Sequence, residues 1–455
     1  MMNDKQERLY ELAYAPLGRL LWKYSLPSIV GMLVMALYNV VDRIFIGQVV
    51  GPEAIAGMTI TFPIMNITTA IGVLVGVGAS ARISIAMGEG NSTLAARILG
   101  NAATLTIING AAYIALIAWQ LAPLLRMFGA GDITLPYAYS YMIWVLPGLL
   151  LTNITFGLNN VLRATGYPLK AMFTMLIGAV ANVILDAILV LWLGYGMVGA
   201  AIATDISMAV SGWFVVSHFL KRNVSLRFER GTFKLCGGIV MGIISIGIAP
   251  SLINVASCFI NAIINHALLE YGGDMAIGAA GIFVTASSLM VTIVLGLCMG
   301  LQPILGYNYG CGNISRLRRA FLLATGVATV ICIVGSSAAM AWPGVVARAF
   351  TSSDFLIAQT VTCLRHSLWA FSIVGFPIVA TCLYQSIGAP VRSLILSLSR
   401  QVIFLIPLML WLPDHYGVEG VWLSFPLSDI LAFIVALALV IPTLSRKPAP
   451  NTPKN

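Results

Sequence analysis

The chain has 455 residues, of which 59% are hydrophobic and only 9% charged, and its formal net charge is +9. Soluble globular proteins have about 25% charged residues, so this composition excludes that class and indicates a protein that crosses a membrane many times. The positive charge does not indicate a nucleic-acid partner. The basic residues lie in short loops between apolar runs, where such residues orient membrane helices.

A helix needs about 20 apolar residues to span the lipid bilayer. Twelve runs qualify, and we predict an all-α polytopic membrane protein. The runs cover residues 20–48, 54–82, 95–125, 135–162, 168–193, 199–220, 233–269, 275–302, 318–343, 355–385, 392–412 and 417–442. Residues 1–19 are charged and contain no small-residue cleavage site, so we expect no cleaved signal peptide.

The distribution of loop charges orients the twelve predicted spans. If the N-terminus lies in the cytoplasm, 21 of the 25 lysine and arginine residues fall on the cytoplasmic side, with Arg400 counted among them. The opposite loops are short and hold mainly aspartate and glutamate. This bias predicts that both termini are cytoplasmic.

Four short motifs recur at a nearly constant offset of about half the chain, each at the same place in a six-helix unit. The pairs are Gly88–Asn91 with Gly310–Asn313, Gly166–Pro168 with Gly388–Pro390, Ser25–Ser28 with Ile248–Ser251, and Tyr195–Gly199 with Tyr416–Gly420. The repeat predicts a six-helix N-lobe (1–222), a basic cytoplasmic linker (223–232), a six-helix C-lobe (233–446) and a cytoplasmic tail (447–455). Because six is even, the two bundles are parallel, as in rocking, alternating-access transporters.

Polar residues inside the first six spans point to a functional site. Asn182 and Asp186 are four residues apart, so they share one helix face. A helical rise of ~1.5 Å per residue places Asp42, Asp186 and Thr204 at a similar level in the outer half of the first bundle. Charges within the membrane are costly and usually functional. Carboxylate, amide and hydroxyl oxygens could carry a proton or bind Na⁺.

Each of these residues also has a simpler explanation. Asp42 could pair with the adjacent Arg43, and Asp186 could cap its helix or face outer water. Thr204 could bond the carbonyl four residues earlier in its own helix.

Further residues form a second rank of candidates. Asn39 and Asp205 lie beside the first set, but Asp205 points about 100° away from Thr204 around its helix. Asn159 lies near the inner end of its span, far from Asp42 unless the helix bends at Pro147. Asp429 is either a second polar site or a structural partner of Arg400. Pro27 is a candidate hinge, although an ordinary static kink is the favoured explanation.

The sequence contains no phosphate-binding Gly-x-x-x-x-Gly-Lys-Ser/Thr motif, no His-Glu-x-x-His and no Gly-x-Ser-x-Gly. We therefore expect neither ATP-driven transport nor an enzyme, and no cofactor beyond a coupling ion. An integral-membrane enzyme acting on lipids would need paired acids near one membrane face. No Asp-x-x-x-Asp run occurs at the inner face.

Several of these motifs together resemble the multidrug and toxic compound extrusion (MATE) family over nearly the whole chain. The resemblance is carried by Leu37–Gly47, Phe62–Pro63, Gly88–Asn91, Asn159–Pro168 and the parallel repeat. The pattern is similar to that of the bacterial branch of the family, which has an acidic site in its N-terminal lobe. That resemblance implies a V-shaped pair of lobes in the bacterial inner membrane. It places the site at the positions matching Asp42, Asn182, Asp186 and Thr204, with Asn159 contributing.

The resemblance further implies a secondary active antiporter that exports cationic or amphipathic drugs in exchange for H⁺ or Na⁺. We expect a monomer in the lipid bilayer with small organic cations as its partners. If the ion is Na⁺, its ligands are expected from Asp42, Asn182, Asp186 and Thr204. The nearest alternative is a flippase for a lipid-linked oligosaccharide, which would require a more basic cavity.

Overall fold

The computed structural model describes residues 4–221 and 224–445, and within them not the side chains of residues 4–6, 39, 43, 52 and 274. The predicted tail (447–455) and the first residue of the predicted linker lie outside this range. The described chain contains helices and no strands, and its longest non-helical segment follows Leu220 and ends before Gly237. Its longer helices are α1 (Asp4–Tyr14), α2 (Leu17–Val49), α3 (Pro52–Gly88), α4 (Ser92–Trp119), α6 (Leu135–Ala164), α7 (Pro168–Asp186), α8 (Gly196–Leu220), α9 (Gly237–Gly310), α10 (Ile314–Ala341), α12 (Asp354–Leu368), α13 (Gly375–Ser386), α14 (Pro390–Leu398) and α17 (Val418–Ser445). Short helices connect them: α5 (Leu121–Met127), α11 (Pro343–Arg348), α15 (Ile406–Trp411) and α16 (Pro413–Tyr416).

Eleven helices in the described chain are long and apolar enough to cross a membrane, and a twelfth span is a bent pair. The continuous α9 contains two of these spans, Gly237–Gly273 and Met275–Gly310, which meet at Gly273 with φ 66°. The predicted tenth span, 355–385, is not one straight helix. Its two parts, Asp354–Leu368 and Phe371–Ser386, are bent by 49°. Its bend adjoins Pro377, a residue type that disfavours a continuous helix.

The internal repeat appears in the turns as well as in the helices. Asn91 and Asn313 each cap the following helix, accepting a hydrogen bond from the backbone N–H three residues later, at 2.9 and 3.1 Å. The preceding glycines, Gly90 and Gly312, have φ of 75° and 71°. Positive φ favours glycine, so the two six-helix bundles use the same turn chemistry at equivalent places.

The bundles meet along a tight seam near the face that carries α1. The hydroxyl of Ser80 donates to Oε1 of Gln302 at 3.0 Å, and the hydroxyl of Ser25 donates to the carbonyl of Leu297 at 3.2 Å. Gly247 packs so closely against the carbonyl of Leu74 that a methyl group would collide with it. Glycine therefore allows the two backbones to approach, as in close helix packing within membranes.

The buried apolar residues divide into two clusters. The larger includes residues of both bundles beside the seam, such as Val75, Ile83, Leu301 and Leu305. The smaller comes only from the first bundle, near the opposite face, and contains Ile46 and Met142. One core is thus shared at the α1 face, whereas the first bundle has its own core at the other. This arrangement gives the V shape.

Helix α1 lies across both bundles at the closed face. Nη1 of Arg8 donates to the carbonyl of Gly166 in the first bundle at 2.7 Å. On the other side, Arg316 donates to the carbonyl of Ala15, immediately after α1, and Nδ2 of Asn308 donates to the carbonyl of Leu12 at 3.5 Å. The helix is therefore tied to both halves of the repeat.

The seam generates a stability prediction. Gly247→Ala is expected to destabilise the closed seam by about 1–3 kcal/mol, the usual cost of overpacking. Gly281→Ala, on the same helix, is the matched control because nothing lies within 4 Å of the added methyl group. Thermal unfolding of both variants in detergent measures the effect. Equal melting temperatures would contradict the close approach seen at Gly247.

Candidate functional site

Three helices of the first bundle bring together the polar residues singled out in the sequence. Asp42 comes from α2, Asn182 and Asp186 from α7, and Thr204 from α8. Asp186 is the last α-helical residue of its span, and a π-helix, Ala187–Trp192, follows it. π-helical turns are rare and often occur at functional sites.

The two carboxyl groups are neighbours in a buried place. Asp42 is 7% exposed and Asp186 is fully enclosed. The carboxyl of Asp186 lies within hydrogen-bonding and electrostatic reach of that of Asp42. Neither oxygen of Asp186 accepts a hydrogen bond from an N–H or neutral O–H group of the described residues. Two carboxylates in this position repel each other unless a proton or a cation is shared between them.

Neutral oxygens complete the arrangement. Nδ2 of Asn182 donates to Oγ1 of Thr204 at 3.4 Å, which leaves the buried Oδ1 of Asn182 without a partner in the described chain. The described residues contain no group of three or more His, Cys, Asp or Glu side chains suited to a metal. A cation here would instead combine carboxylate oxygens with amide and hydroxyl oxygens, the hard ligands that suit Na⁺.

Two tyrosines belong to the same cluster, and the sequence analysis did not place them there. The hydroxyl of Tyr141 on α6 lies within reach of Thr204, and it is an electrostatic neighbour of Asp42, Asp186 and Tyr38. Helical rise could have found Tyr141. Tyr141 lies six residues after the start of α6, and Thr204 lies eight residues after the start of α8. The two residues are therefore at about the same depth.

Asn159 lies away from the acidic cluster, in a narrow cleft nearer the α1 face. Its Nδ2 donates to the carbonyl of Ala171 at 2.8 Å, and its Oδ1 is buried without a partner in the described chain. The cleft has a volume of about 30 Å³. Its lining consists of methionine, aromatic and small polar residues: Met35, Thr152, Thr155, Phe156, Asn159, Thr174, Met175, Gly178, Met208 and Ser211.

Asp205, a second-rank residue of the first bundle, lies apart from the cluster. Asp205 packs against the backbone of Gly148 on α6, where a side chain at position 148 would collide with the carboxylate. The side chains of Asn39 and Arg43 lie outside the described part of the chain, as does the alternative pairing of Arg43 with Asp42. Pro27 lies within the unbroken α2, and its role as a hinge stays a prediction.

In the second bundle, Asp429 contacts Arg400. A pairing of these two residues was one of the two interpretations of Asp429 that the sequence left open. Nε of Arg400 donates to Oδ1 of Asp429 at 2.6 Å. The assignment of Arg400 to the loop cations was wrong. It lies ten residues after Pro390, where α14 begins, and therefore well inside its span. The predicted span 392–412 already contained Arg400, so the count of loop charges was inconsistent with that span.

The chain is similar to known proteins over most of its length. The MatE family matches residues 27–188 and 250–411, two segments separated by the offset of the repeated motifs. A FAD transporter of Shewanella oneidensis is 28% identical over 441 residues, 94% of this chain and 95% of that protein. Multidrug export protein MepA of Staphylococcus aureus is 25% identical over 442 residues, 96% of each chain.

The fold agrees with these relatives. A MATE family transporter of the MOP superfamily, solved in an outward-facing conformation, superposes with a TM-score of 0.91 at 25% identity, covering 98% of this chain and all of that one. Together with the family match over both halves of the chain, this similarity identifies the protein as a member of the MATE family of membrane transporters.

Proposed function

We propose that the protein is a multidrug efflux antiporter, which exports cationic or amphipathic organic compounds in exchange for H⁺ or Na⁺. The observation that carries the proposal is the buried pair of carboxyl groups, Asp42 and Asp186, with both oxygens of Asp186 available to a proton or a cation. The name of the S. aureus relative supports the substrate class. No enzymatic step is part of the proposal.

The acidic cluster and the cleft share the same four helices. Asp42 lies seven residues beyond Met35 on α2, and Asn182 lies seven beyond Met175 on α7. Gly178 and Met208, which also line the cleft, are only four residues from Asn182 and Thr204, so the two sites are about 6–10 Å apart along the helices. An ion that draws the Asp42 and Asp186 carboxyls together also changes how α2 packs against α7. Such a change would widen or narrow the cleft.

The small size of the cleft supports a mechanism in which the ion and the substrate favour different states of the bundle. Its small volume holds about one water molecule and no drug. Substrate must therefore bind with the helices in a different packing, and the ion and the substrate favour different states of the bundle. A ligand shifts such an equilibrium only through its different affinities for the two states. Ion entry then displaces the substrate.

The loop charges support an orientation with the α1 face in the cytoplasm of a bacterial cell, in its inner membrane. In that orientation the closed seam faces the cytoplasm and the V opens outward. The division into lobes at 1–222 and 233–446 is part of the same proposal. The alternative flippase would need a basic cavity for an anionic pyrophosphate, and the charged residues of the first-bundle cluster are acidic.

The first test is efflux from proteoliposomes driven by a pH gradient alone or a Na⁺ gradient alone. We expect efflux of ethidium under one of the two gradients. Asp42→Asn should abolish it, because the amide cannot take up a proton and is a weaker cation ligand. Asp354→Asn, which changes an exposed acid at the start of α12, is the control and should keep full activity. FAD is the second substrate to test, given the name of the S. oneidensis relative.

Efflux that ignores both gradients, or that survives in Asp42→Asn, would refute the scheme. Efflux of FAD but not of ethidium would replace the proposed substrate class.

A second test addresses the tyrosine of the cluster. Tyr141→Phe removes the hydroxyl that lies within reach of Thr204 and of the two acids. The loss of one buried hydrogen bond is worth about 1 kcal/mol, so we expect the concentration of coupling ion needed for half-maximal efflux to rise roughly three- to tenfold. Tyr139→Phe, on the same helix but 42% exposed, is the matched control. An unchanged ion dependence in Tyr141→Phe would exclude Tyr141 from the site.

A further inference from the structure

The second bundle contains an ion pair in the middle of the membrane. Arg400 lies ten residues into its span from the α1 face, and Asp429 lies eleven residues into α17 from the other face. At ~1.5 Å per residue, both are about 15 Å from the nearest helix end. Charges at this depth are expensive to bury and usually serve a function.

The pair leaves most of the guanidinium unused. Only Nε of Arg400 donates to Asp429, at 2.6 Å, although a guanidinium has five N–H donors. The two terminal nitrogens make no hydrogen bond to the described residues, and neither is enclosed. The side chain of Arg400 is 26% exposed, compared with 2% for Asp429. A pair that only joined two helices would be more stable with both groups enclosed and two parallel hydrogen bonds.

The guanidinium lies beside an aromatic ring of the second bundle. Its Cζ atom lies 6.0 Å from the ring centroid of Phe371, and Phe371 is 1% exposed. The buried thiol of Cys332 on α10 is an electrostatic neighbour of both Arg400 and Asp429. Buried groups of three other segments therefore surround the head group.

Equivalent positions of the two repeats carry different charged residues. The offset between the Gly166–Pro168 and Gly388–Pro390 motifs places Asn182 and Asp186 at Phe404 and Leu408, which are apolar. Arg400 lies one turn before Phe404, in the π-helix Ser399–Leu405. The first bundle thus presents two acids, whereas the corresponding segment of the second presents the donor edge of an arginine.

We propose that Arg400 is a binding site for the carboxylate or phosphate group of an amphipathic solute, with Asp429 as its internal competitor. A planar guanidinium edge matches the geometry of either anion and can bind it through two hydrogen bonds. This inference rests on the proposed export function and extends its substrate class. Besides simple organic cations, the protein binds zwitterions, whose acidic group pairs with Arg400.

The test uses two dyes that differ only in the acidic group, tetramethylrhodamine with its free carboxylate and its methyl ester. Binding is measured by fluorescence anisotropy in nanodiscs of phosphatidylcholine, which carry no net lipid charge. The measured quantity is the ratio of acid to ester affinity, for wild type, Asp429→Asn and the double variant Arg400→Gln/Asp429→Asn. The double variant removes both charges, so no unpaired charge stays buried.

We expect Asp429→Asn to raise the affinity for the acid about tenfold and to leave the ester unchanged, because Arg400 loses its internal partner. In the double variant we expect no such increase in the affinity for the acid. Arg392→Gln, on the same span but bonded to Thr443 at 3.1 Å, is the matched control and should keep the wild-type ratio. If the double variant does not fold, Arg400→Lys in the Asp429→Asn background replaces it. Lysine keeps the charge without the planar edge, so the increase in affinity for the acid should be severalfold smaller.

A ratio that is the same in all variants would overturn the inference. That result would assign the pair to helix packing alone. Gradient-driven efflux of ethidium and its loss in Asp42→Asn report separately on the proposed function, so the two hypotheses can fail independently.

Discussion

Two carboxyl groups that share an enclosed site cannot both remain charged without a cation or a proton between them, and the first bundle is arranged around this constraint. Asp42 and Asp186 come from different helices, so their repulsion acts on the packing of α2 against α7. Asn182 and Thr204 bond each other and leave amide and carboxylate oxygens open. Occupancy of the site and the shape of the bundle are therefore linked.

The seam gives this local linkage a global consequence. Near α1 the bundles share a core and approach backbone to backbone, with glycine at the contact of Gly247 with Leu74. Such contacts leave no room for partial separation, because close-packed interfaces deform in discrete steps rather than continuously. Helix α1 adds hydrogen bonds to both sides, from Arg8 in one direction and from Arg316 and Asn308 in the other. In the proposed mechanism, a change in packing within the first bundle would therefore affect the whole interface.

The two halves of the repeat have kept the same turns but not the same chemistry. Asn91 and Asn313 cap equivalent helices, and glycines at positive φ precede both. The spans between these turns differ in charge, with two acids in the first bundle and the Arg400–Asp429 pair in the second. The turns are constrained by backbone geometry that only certain residues satisfy, whereas the interior of each bundle is free to diverge in polarity.

The sequence by itself determined the class of protein, the helical spans, the parallel repeat and most of the first-bundle cluster. These follow from hydropathy, from glycine and asparagine at turns, and from the spacing of Asn182 and Asp186 along one helix face. The packing of the helices was needed to show that Tyr141 joins the cluster, that Asn159 and Asp205 lie apart from it, and that Arg400 pairs with Asp429. Periodicity specifies depth and face within one helix, but the rotation and bending of neighbouring helices depend on side-chain packing between residues far apart in the chain.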